Sequence, residues 1–141
     1  MKYLNHTAMR LLLLNIILAF SFHAAAQNYI GMHKDEIVKV MQKQRPEFKY
    51  DKNAINRSYN VIKFVDKISE QTMLFFLSEK NICTYVRWMS DYSNLTDIIG
   101  ELDRTYKKKD EKTWQYSDKN QEYVIRLEEG EWFFTVSIRK K

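Results

Sequence analysis

The sequence predicts an α+β fold: an antiparallel sheet with both helices on one face, in the order helix, three strands, helix, three strands. Three observations lead there. Apolar residues recur at helical spacing in two stretches, around Ile37–Met41 and around Leu95–Tyr106. Each stretch is followed by short runs rich in β-branched and aromatic residues. Polar turns separate those runs too closely for crossover helices, so neighbouring strands pair as hairpins, and each helix buries its single stripe on the sheet.

Composition agrees with a compact domain. Of 141 residues 45% are hydrophobic and 14% aromatic, with three Gly, one Pro and one Cys. This excludes a disordered chain, a disulfide scaffold and a collagen-like repeat.

The chain opens with Lys2 and Arg10, an apolar run over residues 11–22, then His23-Ala24-Ala25-Ala26. A positive start, a short apolar core and an A-x-A end are the parts of a secretory signal peptide, with cleavage expected after Ala26. The run falls short of the roughly 20 apolar residues that span a membrane, and Asn15 interrupts it. Residues 27–141 are then a single exported domain, periplasmic or secreted, with repeat units over 29–90 and 91–141. No Cys stands at the cleavage point to accept a lipid, so the mature chain is expected not to span the membrane. It keeps 21 basic against 18 acidic side chains, a net charge of +3. That mild excess, in an exported protein, argues against nucleic acid as partner.

The first helix is expected over residues 35–44. His33 stands at its cap, Glu36 follows three residues later, and Met32 is placed to staple onto Ile37. Pro46 stops it. Strands are expected over residues 59–65, 72–77 and 82–89. Between the last two, Ser78-Glu79-Lys80-Asn81 makes a turn that sets Leu77 opposite Ile82, Phe75 opposite Thr84 and Met73 opposite Val86.

The second helix carries Leu95, Ile98, Ile99, Leu102 and Tyr106 on one stripe, capped by Ser93 or Asn94 and closed by Lys107–Lys109 at its negative end. Three more strands follow over residues 113–116, 121–128 and 131–139. A two-residue Glu129-Gly130 turn pairs Leu127 with Trp132, Ile125 with Phe134 and Tyr123 with Val136, making the Trp132 face core.

The first hairpin is oily on both faces. Met73, Phe75, Leu77, Ile82, Val86 and Trp88 share one; Leu74, Phe76, Cys83, Tyr85 and Met89, with Arg87, share the other. If helices cover only one side, the second leaves a surface for a partner. The candidate partner-binding residues are Leu74, Phe76, Tyr85, Met89 and Phe133, the last because it points away from Trp132 on its strand. The expected partner is an envelope or extracellular protein, and a homodimer would cover the same face.

Chemistry-bearing residues are few. After residue 26 there is one histidine, His33, and one cysteine, Cys83, and no hydrolase, zinc or phosphate-loop motif occurs. An exported thiol hydrolase using Cys83, or a small-molecule or lipid carrier, are the alternatives to a non-enzymatic binding module. Asp97 and Glu101, one helical turn apart, read as solvated surface rather than a cation site, since two carboxylates without a third ligand hold hard metals weakly. No metal or cofactor is expected. Lys107–Lys112 reads as a mixed-charge loop, and Asn56-Arg57-Ser58 and Asn94-Leu95-Thr96 match glycosylation acceptors.

The segment Tyr29-Ile30-Gly31-Met32-His33-Lys34-Asp35-Glu36-Ile37, with Pro46 beyond it, resembles the "G-M-(S/T)-x-x-(E/Q)-V" opening of the outer-membrane assembly lipoprotein and β-lactamase-inhibitor-like group. His33 replaces the usual hydroxyl residue. The chain as a whole is similar to small exported proteins of Bacteroides-type bacteria. The resemblance implies an envelope location and a helix preceding antiparallel strands.

Overall fold

The computed structural model describes residues 28–54 and 58–141; the expected signal peptide and Asn56 lie outside the described residues. Two helices and one antiparallel sheet of eight strands make up the fold. Helix α1 spans Lys34–Gln44, and α2 spans Leu95–Thr105 after a 3-10 turn at Tyr92–Asn94. The strands are β1 (Lys49–Tyr50), β2 (Val61–Asp66), β3 (Gln71–Leu77), β4 (Cys83–Ser90), β5 (Lys107–Asp110), β6 (Thr113–Asp118), β7 (Gln121–Glu129) and β8 (Phe134–Lys140). They lie in the order β1-β2-β3-β4-β8-β7-β6-β5, so that β4 and β8 join the two halves of the chain at the centre.

Each helix is therefore followed by four strands, not the expected three. The added ones are sheet edges that carry no hydrophobic alternation: two-residue β1, and β5, whose Lys107, Lys108, Lys109 and Asp110 are all exposed. Lys107–Lys109 follow the Tyr106 C-cap of α2 directly, but as a strand rather than a loop, and Lys108 reaches Asp103 in the helix's last turn at 3.1 Å. A strand made of lysines is legible only through its partner β6, which supplies the ladder.

Helix α1 starts as its sequence dictates. The His33 side chain accepts a hydrogen bond from the Asp35 amide at 3.3 Å, and Ile37 and Met41 are fully buried. Asn94 stands at the N-cap of α2, as expected, but makes no side-chain capping bond, while Asp91 caps the preceding 3-10 turn by accepting from the Ser93 amide at 2.8 Å. Asn94 instead ties the β2–β3 turn down, donating to the Ser69 carbonyl at 2.7 Å and Ser90 Oγ at 3.0 Å.

Both hairpin registers differ from expectation, each because of a local backbone device. In β3–β4 a bulge falls between Phe76 and Leu77: Leu77 pairs with Cys83 but Phe76 with Tyr85, leaving Thr84 as an extra residue. Phe75 then faces Val86 and Met73 faces Trp88. Beyond the bulge the alternation reverses, which moves Cys83 to the core face.

In β7–β8 the connection is the four-residue turn 130–133, closed by the Gly130 amide on the Phe133 carbonyl at 2.9 Å. A Cβ on Gly130 would lie 2.6 Å from that carbonyl oxygen, so glycine is needed there. Leu127 consequently pairs with Val136 and Ile125 with Ile138. Trp132, expected in the core, stands in the turn with 77% of its surface exposed, while Phe134 and Val136 are completely buried.

One face of the sheet is the core face. Ile62, Phe64, Met73, Phe75, Val86, Trp88, Trp114, Ile125, Phe134 and Val136 form one buried cluster with Ile37 and Met41 of α1 and Ile98 and Leu102 of α2. Its rings meet edge-on, as Phe64 and Phe75 do at 5.8 Å. Trp114 donates its Nε1 proton to Asp103 of α2 at 2.8 Å, which satisfies the indole and fixes the helix against β6. No helix among the described residues is long and apolar enough to cross a membrane.

Candidate functional site

The ladder registers lay out the opposite, open face as rows running across the strands. One row is Val61, Phe76, Tyr85, Arg139, Val124 and Gln115. The next is Lys63, Leu74, Arg87, Ser137, Arg126 and Thr113. A third carries Val65, Thr72, Met89, Thr135 and Glu128. The strands β2–β4 thus supply an apolar half, and β4, β8 and β7 supply a basic centre.

The candidate residues Leu74, Phe76, Tyr85 and Met89 come together on this face, and all four are half-buried. Their partial cover comes from one another and from strand neighbours: the Phe76 and Tyr85 rings meet at a 44° tilt with centroids 5.3 Å apart, and Tyr59, 61% exposed, meets Phe76 edge-on at 6.1 Å. Phe133 does not join them by strand alternation. It belongs to the β7–β8 turn, where it is 44% exposed. Sequence reasoning placed Arg87 on this face but missed Tyr59, just before β2, and the grouping of Arg87 with Arg126 and Arg139, which only the strand order reveals.

Those arginines are Arg87 on β4, Arg139 on β8 and Arg126 on β7. Arg126 and Arg139, with Tyr85, Val124, Glu128 and Ser137, line a shallow groove of about 380 Å³. None of the three makes an ion pair among the described residues, whereas other charges on this face are engaged. Lys63 lies 3.6 Å from Asp51, and Lys141 binds Glu122 at 2.9 Å. Arg126 also reaches the field of Asp110 at the far edge, whose carboxyl is held below the usual range chiefly by the Lys112 amide and the Thr113 hydroxyl.

A second depression, about 570 Å³, lies where α2 meets the C-terminal end of α1 and is lined by Arg45, Trp88, Asp97, Glu101 and Arg104, among others. Its charges are mixed. Arg45 is held by Glu47 at 2.7 Å and lies over the rings of Phe48 and Trp88 at 5.1 and 5.4 Å. Asp97 and Glu101 are exposed, and the described residues contain no group of three side chains able to hold a metal ion.

Cys83 has the environment of a packing residue. It is 1% exposed, its Sγ donates to the Tyr85 carbonyl at 3.7 Å, and burial pushes its thiol up to about 12. A catalytic thiolate needs the reverse, exposure and a lowered pKa. His33 is tied to the strand by a bridge to Ile82, next to Cys83, but its ring is spent on the Asp35 amide at the helix cap. Comparison of the chain with protein-family models, curated proteins and solved structures returns no match.

Proposed function

We infer that this chain is an exported, non-enzymatic binding module that holds a protein partner on the open face of its sheet. The carrying observation is the contiguous patch of Leu74, Phe76, Tyr85 and Met89 on adjacent strands, none of them fully covered. The reading takes both helices to lie on the core face. Ile37 and Met41 from α1, with Ile98 and Leu102 from α2, pack into one cluster with the core-face strand residues, and Arg45 sits over Trp88 of that face. It also takes the two helix-plus-strands halves, residues 29–90 and 91–141, as a duplicated unit, supported by their matching element order around the β4–β8 seam.

Export rests on the leader pattern of residues 1–26, and the envelope resemblance around Gly31–Met32 points the same way. N-terminal sequencing of the secreted chain should begin at Gln27; a chain that keeps its first 26 residues in the cytoplasm removes the compartment from the proposal. For the binding face, Phe76→Ser with Tyr85→Ser should abolish retention of the partner from an envelope extract while leaving the fold intact. Aromatic anchors of this size contribute about 2 kcal/mol or more to such contacts, roughly 30-fold in affinity. Retention unchanged by the double substitution rejects this surface.

A further inference from the structure

We propose that the occupant of the open face is an acidic segment of a polypeptide, whose carboxylates are taken by Arg87, Arg126 and Arg139 while a neighbouring large apolar side chain rests on Leu74, Phe76 and Met89. The proposal rests on the binding-module reading above and names the chemistry of its partner.

Charge complementarity and spacing favour such a segment. Arg87 and Arg126 flank Ser137 from the two strands beside it, so their Cα atoms are two strand spacings apart, roughly 10 Å. Arg139 stands two residues along β8 from Ser137, which sets it diagonally from Arg126 at roughly 7–8 Å. Alternate side chains of an extended peptide recur at about 7 Å, so carboxylates at alternate positions match the Arg126–Arg139 step.

Three like charges on one patch repel one another, and folding alone supplies no reason to gather them without acids. The acids on this face are accounted for. Among the described residues Asp51 is paired with Lys63, Glu122 is bound to Lys141, Asp110 lies at the edge beyond Thr113 within the field of Arg126, and Glu128 is the sole carboxylate lining the groove. Three arginines against Glu128 and Asp110 still leave an excess of one positive charge. A guanidinium fork donates two parallel hydrogen bonds to a carboxylate, so each such contact orients the ligand as well as attracting it.

The apolar half decides the class of anion. Val61, Val65, Leu74 and Met89 make this half largely aliphatic, and the Phe76 ring lies tilted against Tyr85 and edge-on to Tyr59. A bare phosphate leaves that half uncovered, and a mainly aliphatic row gives bases little ring surface to stack on. A peptide with an apolar residue beside its acids fills both halves.

The test measures anisotropy of a labelled twelve-residue peptide alternating Glu with Phe and Leu, added to the full chain. The acidic peptide should bind at least tenfold tighter than its counterpart with Lys in place of Glu. Arg126→Glu with Arg139→Glu should reverse that preference, and because both arginines are exposed the variant should retain the parent circular dichroism and unfolding midpoint. Equal binding of the Lys peptide, indifference to the arginine reversal, or tighter binding of oligothymidylate or inorganic phosphate overturns the proposal. If Phe76→Ser with Tyr85→Ser weakens peptides of either charge alike, the face still binds partners and only the acidic assignment falls. If neither pair of substitutions changes anything, both readings fall.

Discussion

Phe134→Ala and Trp132→Ser are predicted to have opposite outcomes, and the comparison tests the β7–β8 register directly. Phe134 is completely buried, faces Tyr92 at 5.7 Å, and sits under a turn that the Tyr92 hydroxyl secures by donating to the Gly130 carbonyl at 2.6 Å. Truncating such a ring loses its transfer free energy and leaves a cavity, about 3–5 kcal/mol. Trp132, 77% exposed in that turn, should cost less than about 0.5 kcal/mol when replaced. In urea, with a slope of about 1.5 kcal/mol/M for a domain of this size, Phe134→Ala should lower the midpoint by about 2–3 M. Trp132→Ser should shift it by no more than about 0.3 M at the same slope. A two-residue Glu129-Gly130 turn would put Trp132 opposite Leu127 inside the core. A Trp132→Ser loss equal to or larger than that of Phe134→Ala would refute the four-residue turn and the face assignments built on it.

Cys83 should resist thiol reagents at neutral pH until the protein unfolds, so labelling that is complete in the native state would contradict its burial. Because the fold raises this thiol from about 9 to about 12, it favours the neutral form: the stabilisation is full below pH 9 and is lost as pH rises from 9 to 12. Urea midpoints should therefore fall more steeply over that interval in the parent chain than in Cys83→Ala, and parallel falls would count against it. Asp66 is opposed by burial, but the Ser69 and Ile68 amides, accepted at 3.2 and 3.0 Å, outweigh it and hold its carboxyl below 3.8. Its contribution is present above that value and lost below it. Asp66→Ala should cost about 1 kcal/mol near neutrality, as loss of a turn-closing carboxylate does, and nothing once both proteins are strongly acidified; a constant difference across pH would exclude the carboxylate's role.

What the sequence made legible was whatever side-chain period encodes. Helix α1 is signalled by the His33 cap, the Ile37–Met41 stripe and Pro46, and it ends within a residue or two of its pattern. The alternation of Tyr123, Ile125 and Leu127 marks their burial correctly, as does that of Phe134 and Val136. Period alone does not show an inserted residue. Thr84 looks like any strand threonine, yet as the bulged residue it turns Cys83 inward and so removes the one candidate nucleophile from the open face. The Gly130 turn was readable as a turn, but its length is set by the Gly130–Phe133 hydrogen bond, and those two extra residues carried Trp132 out of the core. The apolar half of the candidate site was legible because Leu74, Phe76, Tyr85 and Met89 lie on one hairpin. Its basic half was not. Arg87, Arg126 and Arg139 are separated by up to 52 positions in the chain and meet only because β8 inserts between β4 and β7.

The two ends of the sheet bear on how readily a chain this rich in apolar strands would pair with copies of itself. A β-sheet grows by recruiting another molecule's backbone along an outermost strand, the step that leads to fibrils. Here one margin is only Lys49 and Tyr50, too brief to template a neighbour, and the other is Lys107-Lys108-Lys109, where an incoming copy would stack lysine against lysine. Self-association through backbone pairing is thus discouraged at both borders.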